Sequence, residues 1–154
     1  MSHQAMSKLP AIERRVQLLE ARMTPLKRIL HVEDDPSIQA VVKVALEAIG
    51  GYQVQSCSSG QQALNEVEAF APQFILLDVM MPGMGGPETL TRLRDMVDLA
   101  RIPVVFMTAK VQPSEVEHLR RLGARDVIVK PFDPMRLASQ IQTIWNSGSA
   151  GPAS

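Results

Sequence analysis

Residues 74–86 read FILLDVMMPGMGG, and the reading of this stretch decides the fold. Phe74 to Leu77 form an uninterrupted apolar run, the pattern of a short strand covered on both faces. Asp78 follows at once, so its carboxylate falls at the carboxyl end of that strand, the edge where open α/β sheets place their ligands. Pro82, Gly83, Gly85 and Gly86 neither prolong a strand nor begin a helix early. The backbone must therefore turn beside the carboxylate and leave it accessible. Taken alone, the same stretch also fits a capping aspartate behind a core strand.

On either side of it, strand and helix patterns alternate. Arg28 to Val32 is a compact strand run, followed by Glu33, Asp34 and Asp35 and by Pro36, a residue the first helical turn accepts. Ile38, Val41, Val42, Ala45, Leu46 and Ile49 keep helical period up to the stop at Gly50-Gly51. The spacing then predicts a strand over Tyr52–Ser56, a helix over Ser59–Ala69, and a third helix over Pro87–Leu99 after the glycine turn. Ile102 to Met107 reads as a strand that delivers Thr108. Ser114 to Leu122 reads as a helix capped by Ser114, with Glu115 and Glu117 in its first turn and Gly123 behind it. A short strand over Val127–Val129 ends in Lys130-Pro131, and Pro134 to Trp145 makes the last helix. Five strand-then-helix units in succession imply an α/β fold, a five-stranded parallel sheet with right-handed crossovers and helices on both faces.

The flanks are treated separately. Residues 1–26 form an N-terminal segment whose first ten residues read as a disordered tail or a cloning remnant. Within it, Ile12, Val16, Leu19 and Met23 mark an amphipathic helix over Ala11–Met23, expected to pack on the domain, with a dimer or linker role second. The domain proper spans residues 27–146, and residues 147–154 read as a flexible small-residue tail.

Composition narrows the function. Basic and acidic side chains balance at 16 each, so a polyanionic partner such as nucleic acid has no footprint in the overall charge. No apolar run approaches a membrane span or a signal peptide, and a cytoplasmic protein is expected. Cys57 is the single cysteine, which excludes an internal disulfide and a multi-thiolate metal site. His31 lies inside the first strand and reads as packed or hydrogen-bonded, while His118 sits among Glu117, Arg120 and Arg121 on a solvated helix face.

In a parallel sheet every strand points the same way, so Glu33, Asp34, Asp78, Thr108 and Lys130, each at or just past a strand end, converge on one edge. Carboxylates gathered there repel unless a hard cation lies among them, and oxygen-only donors suit Mg²⁺ or Mn²⁺. A hydroxyl and an ammonium facing that ion are the donors a phosphoryl group needs. Singly, each residue has an ordinary structural role; it is the joint placement that argues for a site.

Together RILHVEDDPSI, FILLDVMMPGMGG, IPVVFMTA and VIVKPF resemble the receiver domain of bacterial two-component response regulators, in the manner of the chemotaxis receivers, over about Lys27 to Trp145. The resemblance implies a flavodoxin-like (βα)5 sheet in the order 2-1-3-4-5. It also implies phosphorylation of Asp78 by a phosphohistidine on a sensor histidine kinase or histidine phosphotransfer protein. Metal ligands would be Asp34, Asp78, the Met80 carbonyl and Glu33 through water. Thr108 matches the switch hydroxyl, Lys130 matches the phosphoryl-contacting lysine, and a cis bond is expected before Pro131. Asp35 is then the spare acid, a helix cap. A downstream effector would read the surface of the fourth and fifth units, and the domain would catalyse only its own phosphorylation and dephosphorylation. Either a stand-alone receiver or a piece of a longer regulator fits, and homodimerisation is left open.

One position departs from the family pattern: Val127 stands where an aromatic partner of the switch hydroxyl is usual, and a valine lacks the rotameric swing. By the same resemblance, Met80 and Lys110 fall on family positions that tune access of water to the acyl phosphate, and a bulky Met80 would slow its hydrolysis. Three rival readings are weaker. A haloacid-dehalogenase-type phosphatase needs a second acid where Met80 stands. A nucleotide or flavin module needs more than GMGG. A receiver-like interaction module that is never phosphorylated has no missing residue to support it.

Overall fold

The computed structural model describes residues 9–148. Its elements run α1 Ala11–Met23, β1 Arg28–Val32, α2 Pro36–Val44, β2 Gln53–Cys57, α3 Gly60–Phe70, β3 Phe74–Asp78, α4 Gly86–Leu93, β4 Val104–Thr108, α5 Pro113–Leu122, β5 Asp126–Val129 and α6 Pro134–Ser147. The five strands pair in parallel in the order β2-β1-β3-β4-β5. Period-two alternation along these strands sends side chains to opposite faces. Phe74, Leu76, Val105, Met107 and Ile128 pack with α2 and α6, whereas Ile75, Leu77, Val104, Phe106 and Leu30 pack with α3, α4 and α5. Because both faces are covered, β3 and β4 are buried along their whole length. Each fully buried Leu, Ile or Phe contributes roughly 1.5–3 kcal/mol, so the central strands are the anchor that holds the site.

Local chemistry sets most boundaries. Asp35 caps α2 by accepting from the N–H groups of Ser37 and Ile38, the role the resemblance implied for it, with Pro36 in the first turn. After Val44 the same helix widens over Ala45–Ile49, where the Gly50 N–H reaches back five residues to the Ala45 carbonyl at 3.3 Å. Ser59 caps α3 through the Gln62 N–H.

Several expectations need correction. The third helix stops at Leu93 instead of reaching Leu99. Past Leu93 the chain tightens into turns, the Asp95 N–H bonding to the Arg92 carbonyl and the Met96 N–H to the Leu93 carbonyl, and Asp98 then starts a separate turn, its carboxylate accepting from the Ala100 N–H and its carbonyl from the Arg101 and Ile102 N–H groups. Ser114 is not the cap of α5; Gln112 holds that position without a side-chain bond and Pro113 opens the helix. β2 begins one residue later than expected, and Ile102 precedes its strand. On the apolar side of α1, Ile12, Val16 and Leu19 do not pack on the domain: Ile12 is 70% exposed and Val16 and Leu19 are each 45% exposed. α6 continues through Ser147, inside the segment expected as tail. Expectations for residues 1–8 and 149–154 lie outside the described residues.

Candidate functional site

Ladder bonds bring the strand ends level. Val32 pairs with Leu77, Asp78 with Met107 and Thr108 with Val129, while the Glu33 N–H bonds to the Cys57 carbonyl and the Lys130 N–H to the Thr108 carbonyl. Glu33, Asp78, Thr108 and Lys130 are therefore delivered to one sheet edge by backbone geometry, before any side-chain contact is considered.

The side chains then converge. Carboxylate oxygens of Glu33, Asp34 and Asp78 all lie within 4.8 Å of one another. Lys130 Nζ donates at 2.9 Å to Glu33 Oε1 and at 2.9 Å to Asp78 Oδ1. Its peptide bond to Pro131 is cis. Glu33 and Asp78 are buried, and Asp34 is exposed at the mouth. Three carboxylates against one ammonium leave two negative charges in a small volume. Burial pushes the Glu33 carboxyl above its ordinary range; bonds from Lys130 and from the Asp35 N–H pull against this, and the Asp78 charge adds to it. Burial works against the charged Lys130, yet its bonds to Glu33 and Asp78 outweigh that and raise its pKa. The excess of two charges and an all-oxygen donor set fit a hard divalent cation.

The remaining predicted residues sit around this centre in different ways. The Thr108 hydroxyl is buried and accepts from the Lys110 N–H at 3.0 Å, so it turns back on its own loop rather than bonding to Lys130 or Asp78. Met80 is 67% exposed at the rim. Lys110 is exposed beside a largely apolar pocket of about 290 Å³ whose walls include Val79, Thr108, Ser114 and Leu119. Val127 is half-buried against the α3–α5 side of the core. His118 is exposed, as its polar neighbours suggested.

Two supporting residues escaped the sequence reading. The Gln39 side-chain amide donates to the Glu33 carbonyl and fixes the backbone of the acidic turn. Its only signal in the sequence is a position one turn into α2. Gly86 has no room for a side chain, because an added Cβ would lie 2.3 Å from the Asp78 carbonyl oxygen and 2.9 Å from Phe106. Here the signal is a glycine whose position fits turn formation and the weak GMGG motif equally, with nothing local to show the close approach of Asp78 and Phe106.

The family model for the response regulator receiver domain matches residues 29–142, which contain every residue of this cluster. The chain belongs to the response regulator receiver family. The receiver is 34% identical over 130 residues to the DNA-binding response regulator MtrA of Mycolicibacterium smegmatis, covering 84% of this chain and 55% of that protein. It is 35% identical over 129 residues to the alkaline phosphatase synthesis transcriptional regulatory protein PhoP of Bacillus subtilis, covering 83% and 52%. The chain spans about half the length of the curated relatives it matches. Among solved structures it is similar to the chemotaxis response regulator CheY4 of Vibrio cholerae, with a TM-score of 0.72, 28% identity, and coverage of 78% of this chain and 99% of that one. A CheY-like receiver from Methanospirillum hungatei gives a TM-score of 0.71 at 27% identity, covering 80% and 96%. No helix of the described residues is long and apolar enough to cross a membrane.

Proposed function

We propose that the receiver accepts a phosphoryl group on Asp78 from a phosphohistidine of a sensor histidine kinase or histidine phosphotransfer protein, and that the phosphorylated form signals to a downstream effector. The observation that carries this reading is the Glu33–Asp34–Asp78 cluster with Lys130 Nζ bonded to both buried acids. An Asp78 carboxylate oxygen attacks phosphorus, the P–N bond to the donor imidazole breaks, and the departing nitrogen keeps the electron pair and takes up a proton. The product is an acyl phosphate. Glu33, Asp34, Asp78 and the Met80 carbonyl are the groups that would hold Mg²⁺ or Mn²⁺. When bound, such an ion supplies charge neutralisation for the phosphoryl oxygens. Lys130 already contacts Asp78, so its ammonium stands where a second phosphoryl oxygen arrives and spreads the developing charge.

Thr108 supplies the switch. In the present arrangement its hydroxyl is engaged by the Lys110 N–H, and turning toward a phosphoryl group breaks that bond and moves the loop ahead of α5. The pocket beside Thr108, lined also by Ser114 and Leu119, gives that loop room to repack. Val127 lacks an aromatic ring to follow the hydroxyl, so the signal is carried by the backbone of residues 108–115 and read on the β4–α5 and β5–α6 surface. Met80, at the exposed rim, limits the approach of water to the acyl phosphate. The receiver acts in the cytoplasm, without direct contact to nucleic acid or membrane, and catalyses only its own phosphorylation and dephosphorylation.

The test is incubation of the full chain with a small-molecule phosphodonor and Mg²⁺, followed by intact-mass measurement. A gain of one phosphoryl group in the wild type, absent from Asp78→Asn and absent when Mg²⁺ is chelated, is expected. No gain in the wild type, or an equal gain in Asp78→Asn, removes the proposal.

A further inference from the structure

The amphipathic helix α1 leaves Ile12, Val16 and Leu19 exposed and, among the described residues, Glu13, Arg15 and Glu20 without an ion-pair partner. Ile12 is 70% exposed and Val16 and Leu19 are each 45% exposed, although they share one side of the helix. Elsewhere on the surface, helical charges pair one turn apart, as Glu88 with Arg92 in α4 and Glu117 with Arg121 in α5. Among the described residues no ion pair engages Glu13, Arg15 or Glu20. A 13-residue helix with an uncovered apolar side is marginal in water by itself. The spacing of its apolar residues says what covers it.

Ile12, Val16, Leu19 and Met23 follow one another at intervals of four, three and four in the sequence, the repeat of a coiled-coil seam in which Ile12 and Leu19 take the d positions and Val16 and Met23 the a positions. The residues beside the seam then sort by sign. Both e positions are glutamate, Glu13 and Glu20, and both g positions are arginine, Arg15 and Arg22. In an antiparallel pair of such helices, e faces e and g faces g, setting Glu against Glu and Arg against Arg. A parallel pair instead sets Arg15 of each helix against Glu20 of the other, because g faces the following e across the seam. Like charges reject one orientation and opposite charges favour the other.

We propose that α1 is a homodimerisation element: two copies of this chain associate through a parallel, two-stranded coiled coil of their α1 helices, with Ile12, Val16 and Leu19 in the seam and Arg15 and Glu20 setting its direction. The attachment point keeps the two functions apart. α1 enters β1 through Thr24–Lys27, where Leu26 is buried in the core, at the amino edge of the sheet. Glu33, Asp34 and Asp78 lie at the opposite edge, about 17 Å away along a five-residue strand. Dimerisation therefore brings two receivers together without covering either acidic cluster. With only about two heptads in the seam, the association is weak and concentration-dependent.

The experiment is sedimentation equilibrium of the full chain across a micromolar to near-millimolar range. Concentration-dependent dimer is expected for the wild type and monomer throughout for Leu19→Asp. Arg15→Glu and Glu20→Arg, each alone, place like charges across both sides of the seam and weaken the dimer about tenfold. An equimolar mixture of these two variants restores both attractive pairs and is expected to dimerise as well as the wild type. A wild type that stays monomeric over the range overturns the proposal, as does a dimer indifferent to Leu19→Asp. A mixture no better than its components overturns the parallel α1 pairing. Circular dichroism of each variant confirms that the domain, whose core does not include these residues, remains folded.

Discussion

His31 makes the stability of the receiver depend on pH in a way that its own replacement reveals. The imidazole is fully buried in β1, neither ring nitrogen has a hydrogen-bond partner among the described residues, and burial together with the nearby Lys130 charge lowers its pKa from 6.5 to about 3. In the unfolded chain the same group takes a proton near its ordinary value, whereas in the folded chain it stays neutral far below that. Protons then bind the unfolded state preferentially, so the contribution is fully present above pH 6.5 and is lost progressively as pH falls toward 3. Between pH 7 and pH 5 the loss amounts to about 2 kcal/mol. With a urea slope of roughly 1–3 kcal/mol per molar, that moves the unfolding midpoint down by about 1 M. Trp145, the single tryptophan and buried in the core, reports the transition by fluorescence. The matching variant is His31→Leu, which removes the titrating group and leaves all others in place, so their pH effects cancel in the comparison. It is expected to lose about 2 kcal/mol less than the wild type over the same interval. Relieved of two unpaired buried nitrogens, it should also be at least as stable at pH 7. If both proteins lose stability equally between pH 7 and pH 5, the buried neutral imidazole is not the cause and the reasoning fails.

Other expectations follow from the same structure. Lys130→Met strands Glu33 and Asp78 as a close pair of buried carboxylates, so thermal melts without divalent ions should show a loss of about 3 kcal/mol, and Mg²⁺ titrations a larger stabilisation than in the wild type. Gly86→Ala forces a methyl group against the Asp78 carbonyl, so urea titration should register a loss of roughly 2–3 kcal/mol along with slower phosphoryl uptake. Cys57 is buried, and burial with the neighbouring Glu66 pushes its thiol up to about 12. A thiol reagent at pH 8 should therefore modify the folded receiver far more slowly than the urea-unfolded chain. Because the unfolded thiol ionises first, stability should also fall as pH rises above about 9. Met80→Ala should shorten the lifetime of the acyl phosphate, followed by loss of the added mass over time, and an unchanged lifetime would free Met80 of that role.

Five strands, their order of appearance and the polar residues at their ends were legible because each depends on local pattern. An apolar run that stops at a carboxylate marks a buried strand end wherever it occurs, and FILLD and VVFMT appear in the structure as β3 and β4 with no exposed position. Asp35 as a cap came from the resemblance, which left it as the spare acid; local pattern offers Asp34 and Asp35 alike in front of Pro36, and the structure gives the cap to Asp35. The end of α4 at Leu93 was not legible, because the tightening to three-residue backbone bonds at Asp95 and Met96 leaves no mark in a stretch whose apolar spacing still looks helical.

Sequence alone determined that three acids, a threonine and a lysine reach one edge, because parallel strands share a direction and the ends of their runs can be counted. Only the tertiary structure decided how those groups pair: Lys130 binds Glu33, 97 residues away, as well as Asp78, while the Thr108 hydroxyl turns to the backbone of its own loop. Which side of a helix finds a partner was settled at the same level. The periodicity of α1 resembles that of the helices packed on the sheet, yet Ile12, Val16 and Leu19 remain in solvent. The physical reason is common to both: a local pattern states which groups seek burial or charge, whereas the partner they meet depends on chain segments brought near by folding.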